Sequence, residues 1–193
     1  MTSPGSKGIS EGDVEHVIRS TQSSWDRKIA TDLISEMAAF FGEVDTVPQM
    51  RQALAIAGYH ELQRLIEKAI EGKAKLDAVR AMAFAMRSFA LGSPGLAVAS
   101  FRNPDIGNPE SQKAAGQLAN LVLQVFGEAG IKEDAAKHAI RILKSIVRGF
   151  VMSEMSAPVA HPIEYQKSYV LAIEMFTYGL DRLGDLSSTK DPQ

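Results

Sequence analysis

Apolar side chains recur at spacings of three and four along nearly the whole chain, and no segment sustains the two-residue alternation of a half-buried strand. The pattern predicts an all-α protein. Residues that favour turns interrupt it at Gly72-Lys73, Gly92-Ser93-Pro94-Gly95, Asn103-Pro104 through Asn108-Pro109, Gly130, Pro158 through Pro162, and Gly184. Start signals agree with these stops. Ser10 with Asp13, Ser23 with Asp26 and Thr46 with Gln49 fit a capping pattern in which hydroxyl and acid or amide satisfy the unpaired N–H groups of a first turn. Pro109 and Pro162 stand where a missing N–H costs a helix nothing. The predicted helices are 11–20, 24–34, 36–43, 47–71, 74–92, 95–101, 109–129, 132–155 and 162–184.

Three short helices followed by longer, more apolar ones divide the chain into a head over 1–46, a body over 47–186 and a polar tail over 187–193. Helix 47–71 carries Met50, Leu54, Ala57, Tyr59, Leu62, Leu65, Ile66 and Ile70, a stripe broad enough to face both parts and couple them. The last two helices each carry two apolar stripes where a surface helix needs one. In 132–155 these are Ala136, Ala139, Ile140, Leu143, Val147, Phe150 and Val151, and beside them Ile142, Ser145, Gly149 and Met152. In 162–184, Val170, Ile173, Leu180 and Leu183 run beside Tyr165, Tyr169, Ala172, Phe176 and Gly179. Two stripes require burial on two sides, either deep inside a monomer or across a homodimer. Gly149 and Gly179, each costing a helix about 1 kcal/mol relative to Ala, fit a close helix crossing. The expected arrangement is a homodimer with an interface at Ile142, Ser145, Gly149, Tyr169, Ala172, Phe176 and Gly179, since twofold homo-oligomers dominate.

The 193 residues include 45% hydrophobic residues and no cysteine. That supports a buried core without staples and excludes disulfides, thiol nucleophiles and thiolate metal sites. No apolar run is long enough to span a bilayer, and the polar N-terminus MTSPGSKGIS reads as a loose arm without a secretory signal, so the expected location is cytoplasmic. His16, His60, His138 and His161 are scattered. His138 with Asp134 has helical metal-pair spacing, which an ordinary surface contact explains as well. No GxSxG, GxxxxGK[ST] or GxGxxG pattern occurs, so no enzyme, cofactor or metal is expected.

Adaptable apolar residues are the remaining material for a site. Met82, Phe84, Met86, Phe89, Phe101, Leu121, Val125, Phe126, Met152 and Met155 lie on helices that must converge, with Tyr59, His60 and Arg87 as polar points. Met and aromatic side chains line plastic small-molecule pockets and also fill cores. The expected ligand contacts are Tyr59, His60, Met82, Met86, Phe89, Phe101, Phe126 and Met152.

The segment RSFALGSPGLAVASF, Arg87 to Phe101, resembles the turn and short helix with a "FAxxxPGLY" pattern in the ligand-binding domain of TetR-family transcriptional regulators. Gly149-Phe150 with Glu154 is similar to that family's "hGhhxxE" helix end, and Phe176-Thr177-Tyr178-Gly179-Leu180 to its closing "hxxGL". The resemblance implies that residues 1–46 form a helix-turn-helix. Lys28 through Val44 is similar to "xIAxxLGVSxxxLYxHF", with Ile29, Ala30 and Leu33 on the supporting helix, Phe40-Phe41 at the Leu-Tyr pair and Val44 at the terminal aromatic. It further implies a homodimeric, ligand-responsive repressor of operator DNA with a small apolar effector. Arg27, Lys28 and Arg51 would meet phosphate, and Ser35, Met37 and Ala38 the groove.

Charge opens an alternative. The net charge of −2 divides unevenly, because the first fifty residues hold four basic against eight acidic side chains. Ile34 stands at the turn glycine of the motif, Glu36 at the cap of its recognition helix and Glu43 near that helix's end. DNA-reading modules concentrate Lys and Arg where phosphates lie. A TetR-fold dimer with a degenerate reading head, serving as a small-molecule or protein-binding module, is therefore the second expectation.

Overall fold

The computed structural model describes residues 47–101, 107–131, 133–156 and 162–186. The helices expected before residue 46, the tail, and Arg27, Lys28, Ser35, Met37 and Ala38 lie outside the described residues. Within them are six helices and no strand: α1 (Val47–Ile70), α2 (Lys75–Gly92), α3 (Pro94–Ser100), α4 (Pro109–Glu128), α5 (Glu133–Ser156) and α6 (Pro162–Leu186). Each expected helix of the body is present, with ends within two residues of those read from the pattern.

Local chemistry sets the ends. Gly72 follows α1 at φ +69, a left-handed conformation that glycine adopts without penalty. The Asn108 side chain accepts the Ser111 N–H at 2.8 Å, capping α4, and Pro109 occupies its first position. The other end of α4 closes in a Schellman turn, with Gly130 at φ +88. There the Ile131 N–H donates to the Phe126 carbonyl at 2.9 Å and the Gly130 N–H to that of Gly127 at 3.0 Å. Ile131 and Phe126 are both buried, supplying the apolar contact of the motif.

Packing gathers α1 against α2, α3 and α4, while α2 also reaches α5 and α6. One core results, including Leu54, Leu62 and Ile66 of α1, Val79 and Met82 of α2, Phe126 of α4, Leu143 and Val147 of α5, and Ile173 and Leu180 of α6. α1 and α3 approach closely at Gly58, where a Cβ would lie 2.6 Å from the Leu96 carbonyl oxygen and 2.9 Å from Ser100 Cβ.

A polar clamp ties α2 to α5 and α6. Arg87 donates through Nε and Nη2 to the two carboxylate oxygens of Glu154, at 3.1 and 2.6 Å, and through Nη1 to Gln166 Oε1 at 2.5 Å. Its guanidinium carbon lies 5.0 Å from the centre of the Tyr169 ring. The Tyr169 hydroxyl donates to the Ala83 carbonyl at 2.7 Å, and its ring meets Phe84 and Phe150 edge-on. Burial raises the Tyr169 pKa, so the phenol stays neutral and remains a donor. Arg87 and Glu154, each within a family-like motif, are thus partners in holding the body together. Arg87 is not among the residues lining the cavity described below, for which it had seemed a polar point.

Candidate functional site

Between α1, α4 and α5, with Met86 of α2 and the end of α3, lies a cavity of about 660 Å³. That size falls within the roughly 300–1,000 Å³ of small-molecule sites. Helical periodicity explains its lining. Tyr59, Leu62 and Ile66 recur at three- and four-residue spacing along one stripe of α1, and Ala115, Leu118, Ala119 and Val122 do the same on α4. Small side chains at Ala115, Gly116 and Ala119 leave the space that larger ones would fill. The cavity reaches solvent, because Gln112, Leu123, Lys137 and Arg141 along its edge are exposed.

The polar lining is concentrated on α5. Lys137, Arg141 and Lys144, spaced four and three residues apart, face the cavity beside Ile140 and Leu143, and among the described residues no carboxylate lines it. Lys137 is held by Asp134 at 2.7 Å, which lowers the pKa of that carboxyl. Asp134 therefore serves Lys137 before His138. Among the described residues, no three potential metal ligands cluster. Burial pushes the Lys144 ammonium below its ordinary pKa and the Tyr59 phenol above its own, in each case by desolvating the charged form.

Of the residues expected to contact ligand, Tyr59, Met86 and Phe101 line the cavity. The other five are placed elsewhere. Met82, Phe89 and Phe126 belong to the core, with Phe89 edge-on to Phe101 and Phe126 edge-on to Phe176. His60 is exposed one position past Tyr59, where a helix turns the side chain away, and Met152 is exposed on the outer side of α5. The reading from composition did not include Leu62, Ile66, Leu118, Val122 and Lys144. The signals that find them are the small residues of α4 and the basic spacing of α5.

α5 and α6 also present an apolar outer face. Ile142 and Met152 on α5, and Val170, Leu171, Met175 and Tyr178 on α6, are exposed, with Met175 at 76% and Tyr178 at 80%. Ser145 and Gly149 are exposed on the same side of α5, and Ala172 and Gly179 are half-buried beside it on α6. Cβ atoms added at Gly149 or Gly179 would meet nothing within 4 Å, so no close crossing among the described residues explains either glycine. Two of the expected interface residues, Tyr169 and Phe176, are placed in the core of the chain. Tyr169 is 0% exposed and Phe176 8% within the chain itself. With Ile173 and Leu180 they form a single stripe at spacings of four, three and four that faces the core, leaving them almost no surface for a partner.

The arrangement defines an all-α domain built around a small-molecule-sized cavity, with an apolar face on its last two helices. Residues 79–176, just over half of the chain, match the family model for the tetracyclin repressor-like C-terminal domain. The chain is 31% identical over 129 residues to an uncharacterized HTH-type transcriptional regulator of Mycobacterium tuberculosis, an alignment covering 66% of this chain and 59% of that protein. The fold is similar to the solved structure of a protein with unknown function from Rhodococcus sp. RHA1. That likeness has a TM-score of 0.58 at 19% identity, covering 86% of this chain and 94% of the other. The chain belongs to the TetR family of transcriptional regulators. No described helix is long and apolar enough to cross a membrane.

Proposed function

We propose that the chain is a ligand-responsive repressor that binds operator DNA as a homodimer, with its effector in the α1/α4/α5 cavity. The observation that carries this reading is the shared wall. Tyr59, Leu62 and Ile66 of α1 line the cavity, and α1 is the helix that follows the head directly in sequence. An occupant that favours one position of α1 shifts the equilibrium between two spacings of paired recognition helices, and only one spacing matches operator half-sites about 34–36 Å apart. The dimer forms through the exposed face of α5 and α6, where Ile142, Ser145, Gly149, Ala172 and Gly179 meet their counterparts across a twofold axis.

Arg27, Lys28 and Arg51 supply the phosphate contacts, and Ser35, Met37 and Ala38 the groove contacts. Three cations from each protomer make six per dimer, for which counterion release predicts a slope of log K against log salt near −5. Fluorescence anisotropy with duplexes from the DNA upstream of the coding region, titrated over salt, tests this. Sequence-selective binding with that slope supports the reading. A folded dimer that selects no sequence at low salt removes it.

The acidic head favours a second reading, in which a TetR-fold dimer binds a small molecule or a protein and no longer reads DNA. Its observation is the excess of four acidic residues in the first fifty, with Glu36 and Glu43 flanking the recognition segment. Glu36→Ser with Glu43→His discriminates the two. On the first reading the pair tightens an existing selective interaction; on the second the parent protein has none to tighten.

A further inference from the structure

We infer that the cavity's occupant is an amphipathic anion, with an aliphatic body among Leu62, Ile66, Leu118 and Val122 and a carboxylate or phosphate head against Lys144 and Arg141. The inference rests on the cavity being the effector site, and it names the chemical class of the effector. The lining is chemically lopsided. Its α1 and α4 sides are largely apolar, whereas the α5 side carries three cations and, among the described residues, no lining carboxylate offsets them. Lys137 is engaged by Asp134. The side chains of Arg141 and Lys144 have no ion pair or hydrogen bond among the described residues.

Their depths differ in a useful way. Arg141 is exposed at the edge, while Lys144, one turn further along α5, is half-buried and partly desolvated. A partly buried ammonium without a partner is costly, and an anion entering from solvent relieves that cost by charge-assisted hydrogen bonds. A neutral ligand leaves Lys144 uncompensated and a cationic one is repelled. The apolar walls demand in turn that the anion carry a hydrocarbon body, since inorganic phosphate or acetate would leave them without contact. The exposed Arg141 guanidinium suits a head that stays near water while the chain runs inward.

Isothermal titration calorimetry of the full chain with decanoate, decyl phosphate, 1-decanol and decylammonium tests the inference. The expected result is at least tenfold tighter binding of one or both anions than of decanol, with decylammonium weakest; the tighter anion identifies the head group. Octanoate should bind about 15-fold more weakly than decanoate, because each buried methylene contributes about fourfold. Lys144→Gln should weaken decanoate at least tenfold and leave decanol unchanged. Should that variant not fold, Arg141→Gln at the exposed edge carries the same test. Equal affinities for decanoate and decanol, or a decanoate affinity indifferent to both substitutions, overturn the anionic assignment while the cavity remains a ligand site. Failure of all four probes to bind overturns both.

Discussion

Glu154→Ala probes the tie between α2, α5 and α6. The substitution removes the carboxylate that accepts two N–H groups of Arg87, at 3.1 and 2.6 Å, from a pair whose side chains are 9% and 17% exposed. Breaking a buried pair by deleting one partner costs about 3–5 kcal/mol, because the remaining charge stays desolvated. Arg87 keeps Gln166 at 2.5 Å and the Tyr169 ring at 5.0 Å, which places the expected loss near the lower end, at about 3 kcal/mol. For a chain of this length that corresponds to a fall in Tm of roughly 6–12 °C. The contrasting variant is Arg87→Met with Glu154→Leu, which removes both charges and fills similar volume; it should lie within about 1 kcal/mol of the parent. Urea unfolding followed by circular dichroism at 222 nm measures both, with Arg87→Met and Glu154→Leu also made singly to complete a double-mutant cycle. A loss below about 1 kcal/mol for Glu154→Ala, or a double variant as unstable as the sum of the singles, would refute the clamp.

Three further outcomes follow from the same geometry. Gly58→Ala pushes α1 and α3 apart, since its Cβ would meet the Leu96 carbonyl oxygen at 2.6 Å. A destabilisation of about 1–3 kcal/mol is expected in urea titration, and a neutral effect would contradict the close crossing. Lys144→Met removes a partly desolvated cation and should raise stability by about 0.5–2 kcal/mol at neutral pH. Because the folded pKa of Lys144 lies below its ordinary 10.5, the unfolded chain binds the extra proton, so parent stability recovers as pH rises toward that value. The advantage of the variant should therefore shrink there in thermal melts, and a gain independent of pH contradicts the cause assigned. Met175→Glu with Tyr178→Lys places charge on the exposed face of α6 without touching the core. Analytical ultracentrifugation should show a dimer for the parent and a folded monomer for the variant, and an unchanged dimer would move the interface elsewhere.

The helices of the body were legible because their ends are written in short-range chemistry. Gly72, Asn108-Pro109 and Gly130 act through their own backbone and immediate neighbours. What sequence left open depends on which faces meet. On α6, Tyr169 and Phe176 belong to the stripe of Ile173 and Leu180, and treating them as a second face assigned two core residues to an interface. Met82, Phe89 and Phe126 have the composition of a plastic pocket but lie in the core, because Met and aromatic residues serve either role and topology decides between them. Lys144 was invisible for the opposite reason. A lysine on an amphipathic helix reads as solvated until a neighbouring helix half-covers it. Gly58 likewise acquires its meaning only from Leu96 and Ser100 on another helix.

The most direct test of the repressor reading is the affinity of the dimer for its operator duplex, measured by fluorescence anisotropy at fixed salt with and without a saturating cavity ligand. Parallel measurements use Val122→Trp, whose indole fills the space between α4 and α5. A coupling of about 1–3 kcal/mol predicts that ligand weakens operator binding roughly 5- to 150-fold in the parent. The filled variant should hold DNA equally well and ignore the ligand. Operator affinity that is the same in all four conditions, or absent from a folded dimer, would contradict the account.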